Sequence, residues 1–524
     1  MRKLIKSEDV ARFVRDGDTV TGTGFSFITP EELFIALEEN FLKTGHPRDL
    51  TLLIPGGAGN LKGGGFDHFA HDGYIKRVIS PYFNLTPALG QMVLDERVEA
   101  YMLPAGVLAQ LLRDIGGKRP GLITHVGLGT FVDPRVEGGR LNSKAKDSYT
   151  EVIEIDGKEW IRYKPIHIDV AMLKGTTADE FGNITMEKEA GFLTSLPMAI
   201  AAHNCGGKVI AQVERVAQMG SLHPQLVKVP GILVDAVVIA KPKNHWMTWR
   251  EQYNPARSGQ VRVVDIGLPP SEMGPEKVVA RRALYEIEPG KVVNLGAGMP
   301  EYISSLAWEE KIFDKIVLSV EAGMIGGVPG FGLQFNTASN PHAIIDQSFQ
   351  MDLYDGGGND ISCVGFAQLD QHGNVNVSKL NSRIPGVGGF LNVFPNAKVR
   401  VHCGGFTAGK SDIEVKDGKL KIRKDGEIIK FLNKVDQITL NGDYILRHST
   451  PTIVITERAV FDLTQKGLVL KEIAPGVDLQ KDVLDKMEFR PTVSPNLKLM
   501  PAEIFDEHML MLNNRDPWKS FSLH

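Results

Sequence analysis

The chain has 524 residues, 42% hydrophobic and 23% charged, with a formal net charge of −4 and three cysteines. These are the proportions of a soluble globular protein with room for about three or four ordinary domains or two large ones, and they exclude a disordered or fibrous chain. So weak a charge offers no basic field to nucleic acid or membrane, and thiols without CxxC spacing suggest neither disulfides nor zinc, so the expectations are small-molecule partners, no metal and a cytoplasmic location.

The N-terminus, MRKLIKSEDVARFVRDGD, interrupts its apolar residues with charges, so no signal-peptide core can form. An amphipathic helix, a turn at Gly17, a buried strand and the loop Gly22-Thr-Gly24 follow, then Pro30-Glu31. Further on, Asp67-His68-Phe-Ala-His71-Asp72 invites a metal reading, but zinc histidines on a helix usually stand four apart, and loop-bridging histidines are expected instead. The uncharged residues 190–207 include Pro197, His203 and Asn204, which argue against a lipid-spanning helix.

His167-Ile-Asp169 leads into AMLKGTTADEFGNI, and Asn359-Asp360 leads into ISCVGFAQLDQHGNV. Asp169, Asp179, Gly182 and Asn183 thus match Asp360, Asp370, Gly373 and Asn374 at a constant offset of 191 residues (360 − 169 and 374 − 183). The earlier helix, turn and glycine loop recur as PEKVVARRALYEIEPGKVVNLGAG, with Gly290 at the turn and Pro300-Glu301 after it. The expectation is an α/β protein of two similar open domains with largely parallel sheets, related by internal repeat: residues 1–240, a polar proline-rich linker 241–274, and residues 275–524.

In the second half, DKIVLSV at 314–320 reads as a strand buried in a parallel sheet, and Glu321 follows it at the head of a glycine-rich loop. That is where open α/β sheets place their ligand crevices. With an offset of 265 the first half puts Gly56 at this position, so duplication did not require the acid. Spacing alone leaves Glu321 as either a solvated loop residue or a crevice carboxylate.

Two other patterns are set aside. GGFTAGKS at 404–411 satisfies the Walker A pattern, but the sequence after it alternates in two-residue period like a hairpin, where a phosphate loop must open a helix. Cys403 beside His402 does not make a nucleophile and base, because adjacent strand residues point to opposite faces. The glycine pairs Gly22-Thr-Gly24 and Gly296-Ala-Gly298 lack the full GxGxxG of a dinucleotide fold, although the strand-loop-helix setting keeps an NAD-dependent oxidoreductase as an alternative.

The run Ser319-Val-Glu321-Ala-Gly323 resembles the active-site SxExG pattern of family I CoA-transferases. The segments HFAHDGYIKR, ITHVGLGTFVDPR, YDGGGND, RIPGVGGFLNV, CGGFTAG and ITERAVF extend the resemblance over nearly the whole chain, nearest to propionate and acetate CoA-transferases. It implies ping-pong transfer of CoA from a short-chain acyl-CoA to a free carboxylate, with Glu321 as nucleophile, no cofactor beyond the CoA thioester itself, and a homo-oligomer. It also implies oxyanion N–H groups in the loop of Gly388 and Gly389. Gly296, Ala297, Gly298, Met299 and Pro300 are expected at a helix N-terminus facing CoA, with Gly326, Gly327, Gln334 and Phe335 lining its channel. One departure is Ala105-Gly106, where the family usually carries Gln-Gly, so the side-chain amide that would donate to the oxyanion is missing. Either a backbone group, a water or another polar residue takes its place, or catalysis is slower; the same departure motivates a rival reading as a non-catalytic acyl-CoA sensor.

Overall fold

The computed structural model describes residues 3–268, 270–447 and 450–521. Among them, the first half builds an eight-stranded sheet, parallel throughout, in the order Leu4–Ile5, Ala236–Ile239, Lys208–Val213, Val170–Lys174, Thr19–Gly22, Leu50–Leu53, Ile75–Ile79 and Glu99–Tyr101. Leu50–Leu53 and Val170–Lys174 are buried at every position, as strands covered on both faces must be.

The second half builds a ten-stranded sheet whose centre repeats this order. Thr452–Ile455, Val399–Cys403, Ile361–Val364, Val292–Leu295 and Val317–Val320 lie side by side and parallel, as Ala236–Ile239, Lys208–Val213, Val170–Lys174, Thr19–Gly22 and Leu50–Leu53 do. The halves differ at their margins. After Val317–Val320 the second half folds back antiparallel through Met324–Ile325 and Ala343–Ile344, where the first half continues parallel.

The residues of the repeat have structural work to do. Asp169 and Asp360 each accept the backbone N–H that opens the neighbouring strand, from Thr19 and Val292 at 2.8 and 2.9 Å. Asp179 and Asp370 each accept two backbone N–H groups and the side-chain amide of Asn183 or Asn374, closing identical turns at Gly182 and Gly373. The ladders also correct the alignment across the halves. Thr19 pairs with Thr51 and Val292 with Val317, so Glu321, four residues past Val317, corresponds to Pro55, four past Thr51, and not to Gly56. Hydrogen-bond register, not residue likeness, sets the equivalence, and the first half still has no acid there.

Val293, Leu318, Cys363, Val401 and Cys403 pack in one core together with residues of the helices Pro275–Leu284 and Tyr302–Glu309. The opposite face carries Asn294, Ser319 and His402. The His402 ring lies 4.3 Å from that of Phe394, on the side away from Cys403. Residues 241–274 are tied to both halves: Thr248 pairs with Phe27, Asn340 donates to Ala256, and Met247 is buried. Residues 404–411 lead into the antiparallel hairpin Asp412–Lys416 and Lys419–Lys424, not into a helix. No described helix is long and apolar enough to cross a membrane.

Candidate active site

Val317–Val320 ends at Glu321, which is only 8% exposed. The turn that follows needs Gly323: its φ is +109°, and a Cβ there would lie 2.1 Å from the Ile345 carbonyl oxygen. Val320, Ala322 and Met324 enter an apolar cluster with Phe25, Phe27, Ile28, Ala105, Met186, Leu193 and Met247 of the first half and linker, so the carboxylate stands at the seam of the two halves. Burial without a cationic partner raises its pKa from 4.5 to about 7, and the Gly389 N–H facing it offsets part of that rise. A buried carboxylate that is poorly stabilised as an anion is a stronger nucleophile than a solvated one.

The residues expected around it divide in two. Gly389 lies directly against Glu321: a Cβ added to it would stand 2.2 Å from the carboxylate Oε2. Gly388 does not offer a free N–H. That group donates to the Pro81 carbonyl at 2.9 Å, while the Gly388 carbonyl accepts from the Ala105 N–H at 2.8 Å. The peptide of Gly388 is thus gripped from both sides by the first half, and of the two glycines Gly389 turns its donor to the acid. Behind them, Asn392 and Gln110 donate to Asp355, whose pKa burial raises to about 7, and Arg113 binds Asp352 through two hydrogen bonds.

The loop of Gly296, Ala297 and Gly298 crosses the carboxyl ends of neighbouring strands, with the Gly296 N–H on the Cys363 carbonyl. Met299 and buried Pro300 open a short 3-10 turn before Tyr302–Glu309. The expectation of an open helix N-terminus for phosphate meets a physical obstacle. Glu301 folds back to accept the Gly298 N–H at 3.2 Å, and the Gly332 N–H faces the same carboxylate. Burial nevertheless raises the Glu301 pKa, so a second desolvated acid lines this crevice. In the first half Glu31 matches only the reach to the later loop, accepting the Gly65 N–H at 3.1 Å as Glu301 faces that of Gly332. The duplicated Pro-Glu pair was the sequence signal for this latch.

Gly326 and Gly327 form a turn packed on the His342 ring and the Ser339 carbonyl. Gln334 and Phe335 are half-buried in the adjoining turn, whose Gly330 abuts Arg257 and Thr337. His68 lies between Glu38 at 2.6 Å and Glu31 at 2.8 Å, a bridging role. A cavity of about 340 Å³ lined by His372, Asp443, Gln465 and Arg490 holds none of the groups described around Glu321.

The Coenzyme A transferase family profile matches residues 5–240. The chain is 41% identical to caffeate CoA-transferase of Acetobacterium woodii, covering 97% of this chain and 98% of that one. It is 39% identical to acetate CoA-transferase YdiF of Escherichia coli K12, covering 96% and 95%. The crystal structure of the acyl-CoA transferase YdiF apoenzyme from Escherichia coli O157:H7 superposes with a TM-score of 0.92 at 38% identity over 97% of each chain, and that enzyme's thioester complex with CoA superposes at 0.91. Identity of this order over nearly the full length, together with a buried glutamate at a strand end between paired α/β halves, shows that the chain belongs to the coenzyme A transferase family.

Proposed function

We propose that the enzyme moves CoA between small monocarboxylates through covalent intermediates on Glu321. The carboxylate attacks the thioester carbonyl; the C–S bond breaks, CoA leaves as thiolate and an acyl-glutamyl anhydride remains. The thiolate attacks the glutamyl carbonyl, releasing the first acid as a carboxylate and forming a glutamyl-CoA thioester. A second carboxylate runs these steps backwards and departs as its own CoA ester. Both end states are thioesters, so no ATP is needed, and each attack is an exchange of one activated acyl bond for another. The observation that carries this reading is the desolvated Glu321 with the Gly389 N–H facing it. The thioester complex with CoA of the related YdiF enzyme supports the covalent step.

Acetate CoA-transferase YdiF, 39% identical over nearly the full length, bears the name of a small monocarboxylate. That favours acids such as acetate, propionate, butyrate or lactate over dicarboxylates. The caffeate relative favours a wider range that includes aryl-substituted acids, and a cavity of about 300 Å³ beyond Phe27 and Met247, lined also by Trp246 and Trp249, is of a size to suit it. Three free thiols suit a reducing cytoplasm, and the family resemblance carries the expectation of a homo-oligomer. Incubation with acetyl-CoA alone, followed by peptide mass spectrometry, should place a CoA adduct on the Glu321 peptide, absent in Glu321→Gln. A competent enzyme without that adduct would refute the mechanism and reopen the acyl-CoA sensor alternative for any preparation that binds without turnover.

A further inference from the structure

Tetrahedral intermediates at the Glu321 seam need hydrogen-bond donors on their developing oxyanion, and removing one such donor typically lowers kcat by two to three orders of magnitude. The second half supplies the Gly389 N–H. The first half meets this loop at two points: the Ala105 N–H, spent on the Gly388 carbonyl, and the Pro81 carbonyl, which takes the Gly388 N–H. The Ala105 side chain is a methyl group. The residue after Pro81 is Tyr82, paired antiparallel with Gly386, and its ring lies so close that a Cβ on Gly386 would stand 3.1 Å from Cδ2.

Tyr82 is half-buried and outside the apolar cores, although its neighbours Phe83 and Ile79 are within them. Its hydroxyl accepts from Asn84 Nδ2 at 3.3 Å, which leaves the O–H hydrogen free to donate. Burial raises the phenol's pKa, and the nearby charges of Glu321 and Glu301 raise it further, so it keeps its proton at neutral pH. The bridge to Gly386 and the Gly388 N–H on the Pro81 carbonyl set the Tyr82 ring, from the first half, beside the loop that carries the Gly389 donor.

Resting on Glu321 as nucleophile, we propose that the Tyr82 hydroxyl is the first half's hydrogen-bond donor to the oxyanion, opposite the Gly389 N–H and in the role that Ala105 cannot fill. No proton is transferred: the O–H bond stays intact, and the hydrogen bond strengthens as the carbonyl oxygen gains charge.

Tyr82→Phe tests this with packing preserved. Steady-state transfer from acetyl-CoA to propionate should show kcat reduced about a hundredfold and KM for acetyl-CoA within about threefold. Rapid-quench mass spectrometry should show the CoA adduct on Glu321 forming about a hundredfold more slowly but reaching the wild-type extent. A kcat within threefold of wild type overturns the proposal. So does a raised KM with unchanged kcat, which would make Tyr82 a contact to bound CoA and not to the reacting carbonyl. Absence of the adduct in wild-type enzyme would instead be a failure of the Glu321 reading, which the same experiment reports separately.

Discussion

Gly389→Ala isolates the fit between Glu321, the proposed nucleophile, and the loop against it. Gly389 has φ −91° and ψ 6°, a conformation open to any residue, so alanine adds a methyl group without backbone strain. That methyl would lie 2.2 Å from Glu321 Oε2 and 3.3 Å from Met351 Cε, whereas ordinary van der Waals contact begins near 3.4 Å. The carboxylate must therefore retreat by about 1.2 Å, the difference of the two distances. Displacement of a reacting group by about 1 Å costs roughly a hundredfold in rate, or about 2.7 kcal/mol of barrier. The backbone is unstrained, so alanine gains about 0.4–1 kcal/mol through the unfolded chain against about 1–3 kcal/mol for crowding a buried side chain, and the melting temperature should fall only slightly. The assay is transfer of CoA from acetyl-CoA to propionate, with thermal denaturation alongside. Activity within threefold of wild type at equal stability would show that Gly389 does not press on the nucleophile.

Three further outcomes follow from the charges in the crevice. Because the Glu321 carboxylate must be ionised to attack and its pKa is raised to about 7, kcat/KM for acyl-CoA should rise from pH 6 to pH 8 with a midpoint near 7. The folded state binds this proton more tightly than the unfolded state does, so the contribution of Glu321 to stability should fall as pH climbs from about 4.5 past 7, by about 3 kcal/mol. Glu321→Gln should then gain in melting temperature over wild type at pH 8 and not at pH 4; parallel curves would contradict a desolvated acid, and Asp355 cancels because both proteins retain it. Glu301→Ala removes the acceptor for the Gly298 N–H and the carboxylate facing Gly332, and KM for acyl-CoA should rise about tenfold with kcat little changed. An unchanged KM would mean that the two loops hold their shape without the latch.

A continuous apolar run, an acid and a glycine turn are contiguous, so the strand end at Glu321 was legible, but only the resemblance of SVEAG to the SxExG pattern singled out the acid. The duplicated architecture was legible for a similar reason: Asp179 and Asp370 close turns from within four residues, so their motif survives as a string. What escaped is what the fold brings together from far apart. Gly388 meets Pro81 and Ala105 across separations of 307 and 283 residues (388 − 81 and 388 − 105), and no local pattern marks a carbonyl as a partner. Gly298 shows the opposite limit: its loop has the look of a phosphate cradle, but Glu301, three residues on, occupies the N–H that a ligand would use. The assignment of Glu321 opposite Gly56 failed by one residue because strand register follows hydrogen bonding.

The double grip on Gly388 makes the activating loop hostage to the other half of the molecule. If the halves drift apart by a couple of ångströms to admit or release CoA, Pro81 and Ala105 draw Gly388 with them, and the neighbouring amide leaves Glu321. Opening to solvent and readiness to react are then mutually exclusive, which would protect an anhydride on Glu321 from hydrolysis without any separate lid.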